Sequence, residues 1–245
     1  MPQFGNMKRA LLVFALVGLF VVEPASADRG RCAGETVKKL GSTKIAYAAV
    51  VERVANTYRA PGRGFVARFT AKNENTYPTV FGVRGAILDR DCRVRWYRVQ
   101  LPMRPNGATA YVRARAVWIG RVTTRIVVDL SSRRVLLFRR GRLVLRAKAA
   151  VGTPATPTPR GRFYVNQRLI PRDRHGPYGP GAIGISAFSN VLTGWTQGGP
   201  IAIHGTNQPW LIGRRVTNGC IRLHNRDLRR LFRATLAGTP VVVRR

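Results

Sequence analysis

Residues 124–150 read TRIVVDLSSRRVLLFRRGRLVLRAKAA, and this stretch decides the fold class of the chain. It holds three runs rich in Val, Leu and Ile, at residues 124–130, 135–139 and 143–150. A Ser-Ser-Arg-Arg segment separates the first two runs, and Gly141 lies between the second and the third. Apolar, partly β-branched runs of this length with turn residues between them are typical of successive strands. The stretch therefore predicts a β-meander.

The residues after the meander continue with short strands and longer loops. Residues 153–159 are rich in Thr and Pro and predict an extended loop, and residues 161–165 predict a further strand. Residues 172–184 are rich in Gly and Pro and predict a long surface loop. Residues 200–204 form a short apolar run, which predicts a strand that ends on His204.

Helical periodicity occurs late in the chain, at residues 226–236 (RDLRRLFRATL). Its apolar residues recur at spacings of three or four, which predicts one late helix. Asn225 or Asp227 could cap the start of this helix, and Gly238 ends it. Residues 241–243 predict a final strand.

The upstream part of the chain, residues 45–118, shows short apolar runs with turn residues between them. These runs lie at residues 45–54, 65–69, 80–88, 94–99 and 111–118. Several short strands at this spacing are typical of a small barrel or sandwich. The predicted fold is therefore mainly β, with a small N-terminal β-barrel over residues 45–118 followed by a β-rich domain with one late helix over residues 121–245.

Residues 1–27 have the parts of a signal peptide. A basic start precedes an apolar run over residues 10–22, and Ala-Ser-Ala at residues 25–27 fits a cleavage site. Residues 28–44 then form a leader. The apolar run is short for a membrane span, so we expect an exported protein of the periplasm or cell wall with no stable membrane span after cleavage. A retained N-terminal anchor is the alternative.

The chain is strongly basic, with 43 Lys and Arg against 10 Asp and Glu and a formal net charge of +33. Such a field favours polyanions, of which nucleic acid is the usual one. The basic residues are spread over the whole chain without an aromatic-interleaved stripe, and the export signal disfavours a nucleic-acid partner. We therefore expect no nucleic acid and name anionic wall polymers as candidate partners. A general Arg bias without a binding role is the alternative.

The three cysteines of the chain are Cys32, Cys92 and Cys220. Cys32 and Cys92 could form a disulfide in an oxidising compartment, although two free buried thiols fit the spacing as well. Cys220 is then the odd thiol of an exported protein, which calls for a chemical reason.

Two segments place an imidazole and a thiol in reactive settings: IHGT at residues 203–206 and VTNGCIRLHN at residues 216–225. His204 ends a predicted strand, and an imidazole can take the proton of the Cys220 thiol so that the thiolate attacks a carbonyl. Gly219 lets the backbone come close to the reacting atom, and the N–H groups of Gly219 and Cys220 are candidate oxyanion donors. A buried, inert cysteine is the commoner case for such a residue.

The HGT segment, followed after an insert by TNGCIRLHN, resembles the signature of the YkuD-type L,D-transpeptidase catalytic domain. The resemblance covers about residues 121–245 and includes TPTPRGRFYVN at residues 156–166. The upstream block at residues 96–107 resembles the small wall-associated barrel that precedes some of these domains. The resemblance implies Cys220 as nucleophile and His204 as base.

The resemblance also implies a reaction and a substrate. L,D-transpeptidases of this type form peptidoglycan cross-links in cell wall biogenesis. A cysteine takes the acyl group of a stem tetrapeptide and passes it to the side-chain amine of a diamino acid on a neighbouring stem, with no metal or organic cofactor. An L,D-carboxypeptidase with water as acceptor, and a catalytically silent wall-binding protein, are the alternatives that stay open.

Further site residues follow from the same motif. The Gly205 carbonyl would orient the His204 imidazole, and Asn218 stands where many members carry a second histidine. Arg222 would share a strand face with Cys220 and favour the thiolate or a substrate carboxylate. A buried structural arginine is the equal alternative.

The remaining predictions concern substrate contacts and metal. Thr217, Tyr178 and Trp195, together with Asn218 and Arg222, are candidate substrate-binding residues. A zinc site from His204, Cys220 and His224 lacks a fourth ligand and the usual paired spacing, so no metal site is predicted. His224 and His175 are expected to lie outside the chemistry.

Overall fold

The computed structural model describes residues 36–245. The predicted signal peptide at residues 1–27, and Cys32, lie outside the described residues. Cys92 is disulfide-bonded, and its pairing with Cys32 stays a prediction. Within residues 36–245, no helix is long and apolar enough to cross a membrane.

The first part of the described chain forms a sheet of eight strands. The strands are β1 (Thr36–Lys39), β2 (Ala46–Val51), β3 (Val54–Ala60), β4 (Arg63–Thr70), β5 (Val80–Leu88), β6 (Val94–Gln100), β7 (Thr109–Arg113) and β8 (Val117–Val122). They pair in the order β4-β3-β7-β6-β5-β2-β8, with β1 added to β5. Closure of this sheet into a barrel, and its status as a separate domain over residues 45–118, stay predictions.

Sequence predictions in this part differ in detail from the structure, among them the run over residues 111–118, which is divided between β7 and β8 by a short 3-10 turn. Residues 45–54 form two strands instead of one, because the chain turns at Glu52 and Arg53 between β2 and β3. Residues 36–39, which were placed in the leader, form β1 and pair antiparallel with β5. Residues 80–88 were predicted as one strand, and β5 has these bounds.

The second part of the chain contains nine strands and, within the described residues, the single α-helix. The elements are β9 (Thr124–Asp129), β10 (Arg134–Arg139), β11 (Arg142–Gly152), β12 (Gly161–Leu169), β13 (Ala182–Phe188), β14 (Pro200–His204), β15 (Arg215–Thr217), β16 (Ile221–Leu223), α1 (Asn225–Ala234) and β17 (Pro240–Arg244). The predicted mainly β fold with one late helix is confirmed. The predicted strand pattern missed β13, β15 and β16.

These strands close into a barrel. They pair in the order β10-β9-β17-β12-β13-β14-β16-β11, and β11 also pairs with β10, so that the ring returns to its start. β15 is added to β11 in parallel. Closure leaves the ring strands without open edges, and their inward residues form one buried apolar core that includes Ile126, Val165, Ile185, Ile203 and Ile221.

Helix α1 covers part of the barrel because its apolar residues share one side. Leu228 and Leu231 are fully buried in the barrel core, and Phe232 packs against it. The predicted caps were wrong: His224 precedes the first helical residue, and its side chain makes no capping hydrogen bond. Asn225 lies in the first turn instead, and its side chain serves the loop described below.

The barrel packs against the first sheet through β5 and β12. Tyr164 is fully buried, and its hydroxyl donates a hydrogen bond to the Val80 carbonyl over 3.0 Å. The Tyr164 ring lies so close to Gly82 that a Cβ there would meet it at 2.8 Å. Gln100 Nε2 also donates to the Arg162 carbonyl over 2.9 Å. These contacts hold the two sheets together at β12, which β13 separates from β14.

Candidate active site

The candidate site lies where β14 and β16 run side by side. The two strands are parallel, with Ile203 opposite Ile221 and His204 opposite Arg222. Both isoleucines are fully buried in the barrel core. Because neighbouring strand residues point to opposite faces, His204 and Arg222 share the outer face of the barrel.

Cys220 joins this face one residue before β16. The strand register places it beside Ala202, two residues before His204 on β14, and the Ala202 backbone lowers the pKa of the thiol. Cys220 is partly exposed, and it is the free cysteine among the described residues. The strand pair therefore brings the thiol, the imidazole and the guanidinium of Arg222 to one place.

The His204 imidazole is held in a fixed orientation. It is 4% exposed, and its Nδ1 lies 2.7 Å from the Gly205 carbonyl oxygen. A carbonyl can only accept a hydrogen bond, so Nδ1 is the donor and carries the proton of the neutral ring. Nε2 is then the basic nitrogen. The Tyr178 ring packs on the imidazole, with ring centroids 4.9 Å apart.

The surroundings favour neutral forms of both reactive groups. Burial lowers the pKa of His204 to about 4, against hydrogen bonding to the Gly205 carbonyl, and the positive charge of Arg222 lowers it further. Burial also raises the pKa of the Cys220 thiol, against the Ala202 hydrogen bond and the charge of Arg222. Because the imidazole has a low pKa and the thiol has a high pKa, both groups are neutral, and the site contains no thiolate–imidazolium ion pair. This arrangement suits proton transfer during attack on a carbonyl.

Arg222 is oriented by a loop residue that the sequence did not single out. Its Nη1 donates to Oε1 of Gln208 over 3.3 Å, while its buried Nε has no hydrogen-bond partner in the described part of the chain. Its charge lowers the pKa of both His204 and Cys220. The charge of Arg222 thus acts on both the imidazole and the thiol, and its hydrogen-bond partner is a side-chain amide instead of a backbone carbonyl.

Thr217 builds the turn before the thiol. Its hydroxyl donates to the Cys220 carbonyl over 2.6 Å and accepts from the Gly219 N–H over 3.2 Å. Its own carbonyl accepts from the Thr156 hydroxyl and from the Thr153 N–H. It is 1% exposed. The structure places the Thr217 side chain in the turn before Cys220, and its role as a substrate contact stays a prediction.

The hydrogen bonds of Thr217 also bear on the prediction that the N–H groups of Gly219 and Cys220 are oxyanion donors. The Gly219 N–H is engaged by the Thr217 hydroxyl, so it does not point at a substrate oxygen. The Cys220 N–H is the remaining candidate from the predicted pair. Gly219 serves instead through its backbone, which has φ 109° in the region that favours glycine.

Replacing Gly219 by Ala is expected to destabilise the fold by about 1–3 kcal/mol, the usual cost of a non-glycine residue in a strained backbone region. The new Cβ would also meet Ile201 Cδ1 at 2.9 Å and displace the Cys220 turn. We therefore expect slower acylation as well, measured together with thermal unfolding. Gly213→Ala is the matched control, because Gly213 has φ 94° with nothing within 4 Å. Equal acylation rates in Gly219→Ala and Gly213→Ala would show that the contact with Ile201 is not the cause of slower acylation.

Asn225 connects the two loops around His204. Its Oδ1 accepts from the Thr206 N–H over 2.8 Å. Gly179 and Gly205 pack against the same side chain so closely that a Cβ on either would collide with Oδ1. Asn225 thus fixes the loop whose Gly205 carbonyl orients His204. This role depends on a contact between Asn225 and Thr206, which lie 19 positions apart, so no local pattern in the sequence indicates it.

The structure does not bring together all of the predicted residues. Asn218 and Tyr178 are exposed next to the thiol turn and the imidazole. Trp195 is 54% exposed in the segment before β14. His175 and His224 are exposed. Within residues 36–245, no cluster of three His, Cys, Asp or Glu side chains could hold a metal ion.

Residues 123–243 match the family model of the YkuD L,D-transpeptidase catalytic domain. The chain is 40% identical over 119 residues to the putative L,D-transpeptidase YkuD of Bacillus licheniformis, covering 49% of this chain and 64% of that protein. It is 33% identical over 120 residues to the protein of that name in Bacillus subtilis, covering 49% and 65%. The matches thus span less than two thirds of the length of these two relatives.

A solved structure gives a similar match. The NMR structure of the catalytic domain from the E. faecium L,D-transpeptidase is 25% identical, with a TM-score of 0.37. It covers 49% of this chain and 96% of that chain.

Proposed function

We propose, on the premise that residues 123–243 are an L,D-transpeptidase catalytic domain of the YkuD family, that this protein cross-links peptidoglycan. The donor is a stem tetrapeptide and the acceptor is the side-chain amine of a diamino acid on a neighbouring stem. The observation that carries the proposal is the His204 ring, held by the Gly205 carbonyl over 2.7 Å, on the strand beside the free Cys220.

The first half of the proposed reaction forms an acyl-enzyme. Cys220 Sγ attacks the carbonyl of the third stem residue while His204 Nε2 takes the thiol proton. The positive charge of Arg222 favours the developing thiolate. The C–N bond to the terminal D-alanine then breaks, and the His204 imidazolium returns its proton to the leaving amine. A thioester joins the stem tripeptide to Cys220.

The second half reverses these roles. The acceptor amine attacks the thioester carbonyl and gives a proton to His204 Nε2. Collapse of the tetrahedral intermediate releases Cys220 Sγ, which regains its proton from His204. The product is an amide bond between third residues of two stems. The chain's own residues supply the nucleophile and the base of this scheme.

The proposed setting is the cell wall. The predicted signal peptide and the substrate class both favour the periplasm or the wall, and a net charge of +33 favours retention near anionic wall polymers. Salt-dependent binding of the folded protein to isolated anionic wall polymer would test the charge argument.

The test of the proposed reaction is intact mass spectrometry after incubation with a stem tetrapeptide. We expect a mass increase equal to the tripeptide acyl group on the peptide that contains Cys220, together with free D-alanine. Adding a diamino-acid amine should remove the adduct and yield the cross-linked product. Release of free tripeptide despite the amine would favour the carboxypeptidase, and absence of any adduct would favour the silent wall-binding protein.

A further inference from the structure

A cavity with a basic lining lies between the first sheet and the barrel. Its volume is about 440 Å³, which is within the range of cavities that hold small organic ligands. The first sheet contributes residues of β1, β2, β5 and the segment 40–45, and the barrel contributes residues of β9, β12 and β17. Four cationic side chains line it: Lys39, Arg84, Arg125 and Arg162. We refer to it as the basic cavity.

The described lining of the basic cavity contains no carboxylate. None of the lining residues among positions 36–245 is Asp or Glu. The ion pairs of the described chain join Arg95, Arg226 and Arg244 to aspartates, so none of them involves a cation of this cavity. The four positive charges are therefore not balanced by an ion pair within the described part of the protein.

Arg84 carries its charge in a partly buried position on β5. Its Nη2 donates to Oε1 of Gln100, which is 1% exposed. Burial lowers the pKa of Arg84, against an interaction with Tyr164, and the positive charge of Arg162 lowers it further. An arginine stays protonated in a protein, and charges removed from water are normally paired. The Arg84 guanidinium thus lacks a counter-charge among the described residues.

Arg162 is held next to Arg84 by the same amide. Gln100 accepts from Arg84 through Oε1 and donates from Nε2 to the Arg162 carbonyl over 2.9 Å. This amide joins β5 to β12 where the two arginines are close enough for their charges to interact. The Arg162 side chain is exposed, and its guanidinium makes no hydrogen bond with the described residues. Its donors are therefore available to a ligand.

Arg125 adds a third guanidinium from the barrel. It lies on β9, and its Nη2 donates to the Ser42 carbonyl over 3.2 Å. A guanidinium has five N–H donors in a fixed fork, so this hydrogen bond orients Arg125 and leaves other donors for a ligand. Lys39, exposed on β1, adds an ammonium group to the lining.

The lining matches the chemistry of a phosphate group. Guanidinium forks bind phosphate oxygens two at a time, and such charge-assisted hydrogen bonds are stronger than neutral ones. A phosphate monoester carries up to about two negative charges and three acceptor oxygens, so it can meet two arginines together. One carboxylate brings a single charge. The volume also leaves room for an organic group against Leu40, Ile45 and Phe163 of the lining.

We propose that the basic cavity binds a phosphorylated ligand whose phosphate group is held by Arg84 and Arg162. The ligand provides the counter-charge that the described residues do not. The net charge of the chain attracts polyanions over the whole surface, whereas this inference assigns one site. The described lining contains no residue of β14 or β16, so the site does not depend on the proposed acyl transfer.

The test is calorimetric titration of the full chain in phosphate-free buffer at constant ionic strength, which keeps electrostatic screening the same throughout. Glycerol phosphate is the small probe, and a short poly(glycerol phosphate) chain is the polymer probe. We expect saturable binding of glycerol phosphate at one site. Tighter binding of the polymer per phosphate group would assign the ligand to a wall polymer, and equal affinity would assign it to a small phosphate ester.

Arg162→Gln is the decisive variant, because it removes an exposed guanidinium and leaves no buried group without a partner. We expect its affinity for glycerol phosphate to fall about 10-fold or more, which corresponds to the loss of one charge-assisted hydrogen bond. Arg146→Gln is the matched control, since Arg146 is exposed on β11 outside the cavity and the charge change is the same. Arg125→Gln is a second variant with the same expected direction as Arg162→Gln.

Thermal unfolding gives an independent measurement. A ligand that binds only the folded protein raises the unfolding midpoint. Glycerol phosphate should therefore raise it in the wild type and in Arg146→Gln, and much less in Arg162→Gln. Without ligand, Arg162→Gln should unfold no earlier than the wild type, because the substitution removes a like charge beside Arg84. Earlier unfolding of Arg162→Gln without ligand would indicate a structural role for Arg162 and contradict its assignment to the phosphate.

Three titration results would overturn the inference: no saturable binding, an equal loss of affinity in Arg162→Gln and Arg146→Gln, or binding of malonate as tight as that of glycerol phosphate. The first two would leave only the general positive field of the chain, and the third would assign the cavity to carboxylates. Cys220→Ala should bind glycerol phosphate as the wild type does. A failure of acylation would therefore contradict the proposed function alone, and a failure of phosphate binding would contradict this inference alone.

Discussion

Cys220→Ala is expected to abolish acyl-enzyme formation and turnover, because the proposed chemistry begins with attack by Sγ of this residue. Cys220 is the free cysteine of the described chain, so no other thiol on the outer face of β14 and β16 can replace it. The measurement is intact mass after incubation with tetrapeptide, together with release of D-alanine. The folded state should persist, since the substitution removes one partly exposed sulfur atom.

The matched control for this experiment is Cys92→Ser. Cys92 is disulfide-bonded, and loss of a native disulfide in a small secreted domain typically costs about 2–5 kcal/mol. We therefore expect a less stable protein that still forms the adduct on Cys220 at a temperature where it is folded. Full turnover by Cys220→Ala would end the assignment of the nucleophile.

His204→Ala is expected to slow acylation by at least about 10²- to 10⁴-fold, the usual contribution of a general base. The ring has its Nδ1 proton bound to the Gly205 carbonyl, which leaves Nε2 for the thiol proton. His175→Ala and His224→Ala are matched controls, because both residues are exposed. We expect near-normal acylation rates from both controls. Near-normal acylation by His204→Ala would falsify the assignment of the base.

The pH dependence gives a second measure of His204. Its pKa is lowered to about 4, so the imidazole stays neutral and basic until the pH falls toward that value. The acidic limb of the acylation profile should therefore lie near pH 4 instead of near 6.5, as one coupled Cys220–His204 titration. The limb should disappear in His204→Ala. A limb that persists in this variant would assign the titration to another group.

Asn218 tests whether a second histidine matters in this chain. Asn218 is exposed beside the Thr217 turn, and the site already holds His204. Asn218→His should therefore change the acylation rate far less than His204→Ala does. A gain in acylation rate by Asn218→His as large as the loss in His204→Ala would show that the site lacks an effective base when residue 218 is asparagine.

Local pattern in the sequence was enough for the fold class, and the assignment of Cys220 and His204 as the reactive pair stays a prediction from the motif. Residues 124–150 predicted a meander, and β9, β10 and β11 pair in that order because neighbouring strands need only short turns. The helix predicted over residues 226–236 is α1, since its apolar spacing is a property of consecutive residues. The Cys220 and His204 assignments came from the motif itself.

Strand β13 shows where local pattern failed. It begins inside residues 172–184, which were predicted as a loop because of their Gly and Pro content. Six of its seven residues are buried, and β12 and β14 pair with its two edges. Its strand conformation is therefore set by partners elsewhere in the chain, which a window of consecutive residues does not contain.

The sequence by itself thus determined the mainly β class and the late helix, and it predicts the thiol–imidazole pair. Only the tertiary structure decided that Thr217 is buried and that Asn225 fixes the Gly205 loop. Each of these roles depends on a hydrogen bond or a strand pairing between residues far apart in the sequence. Such contacts form only when the barrel closes, so they leave no periodicity or spacing by which the sequence could reveal them.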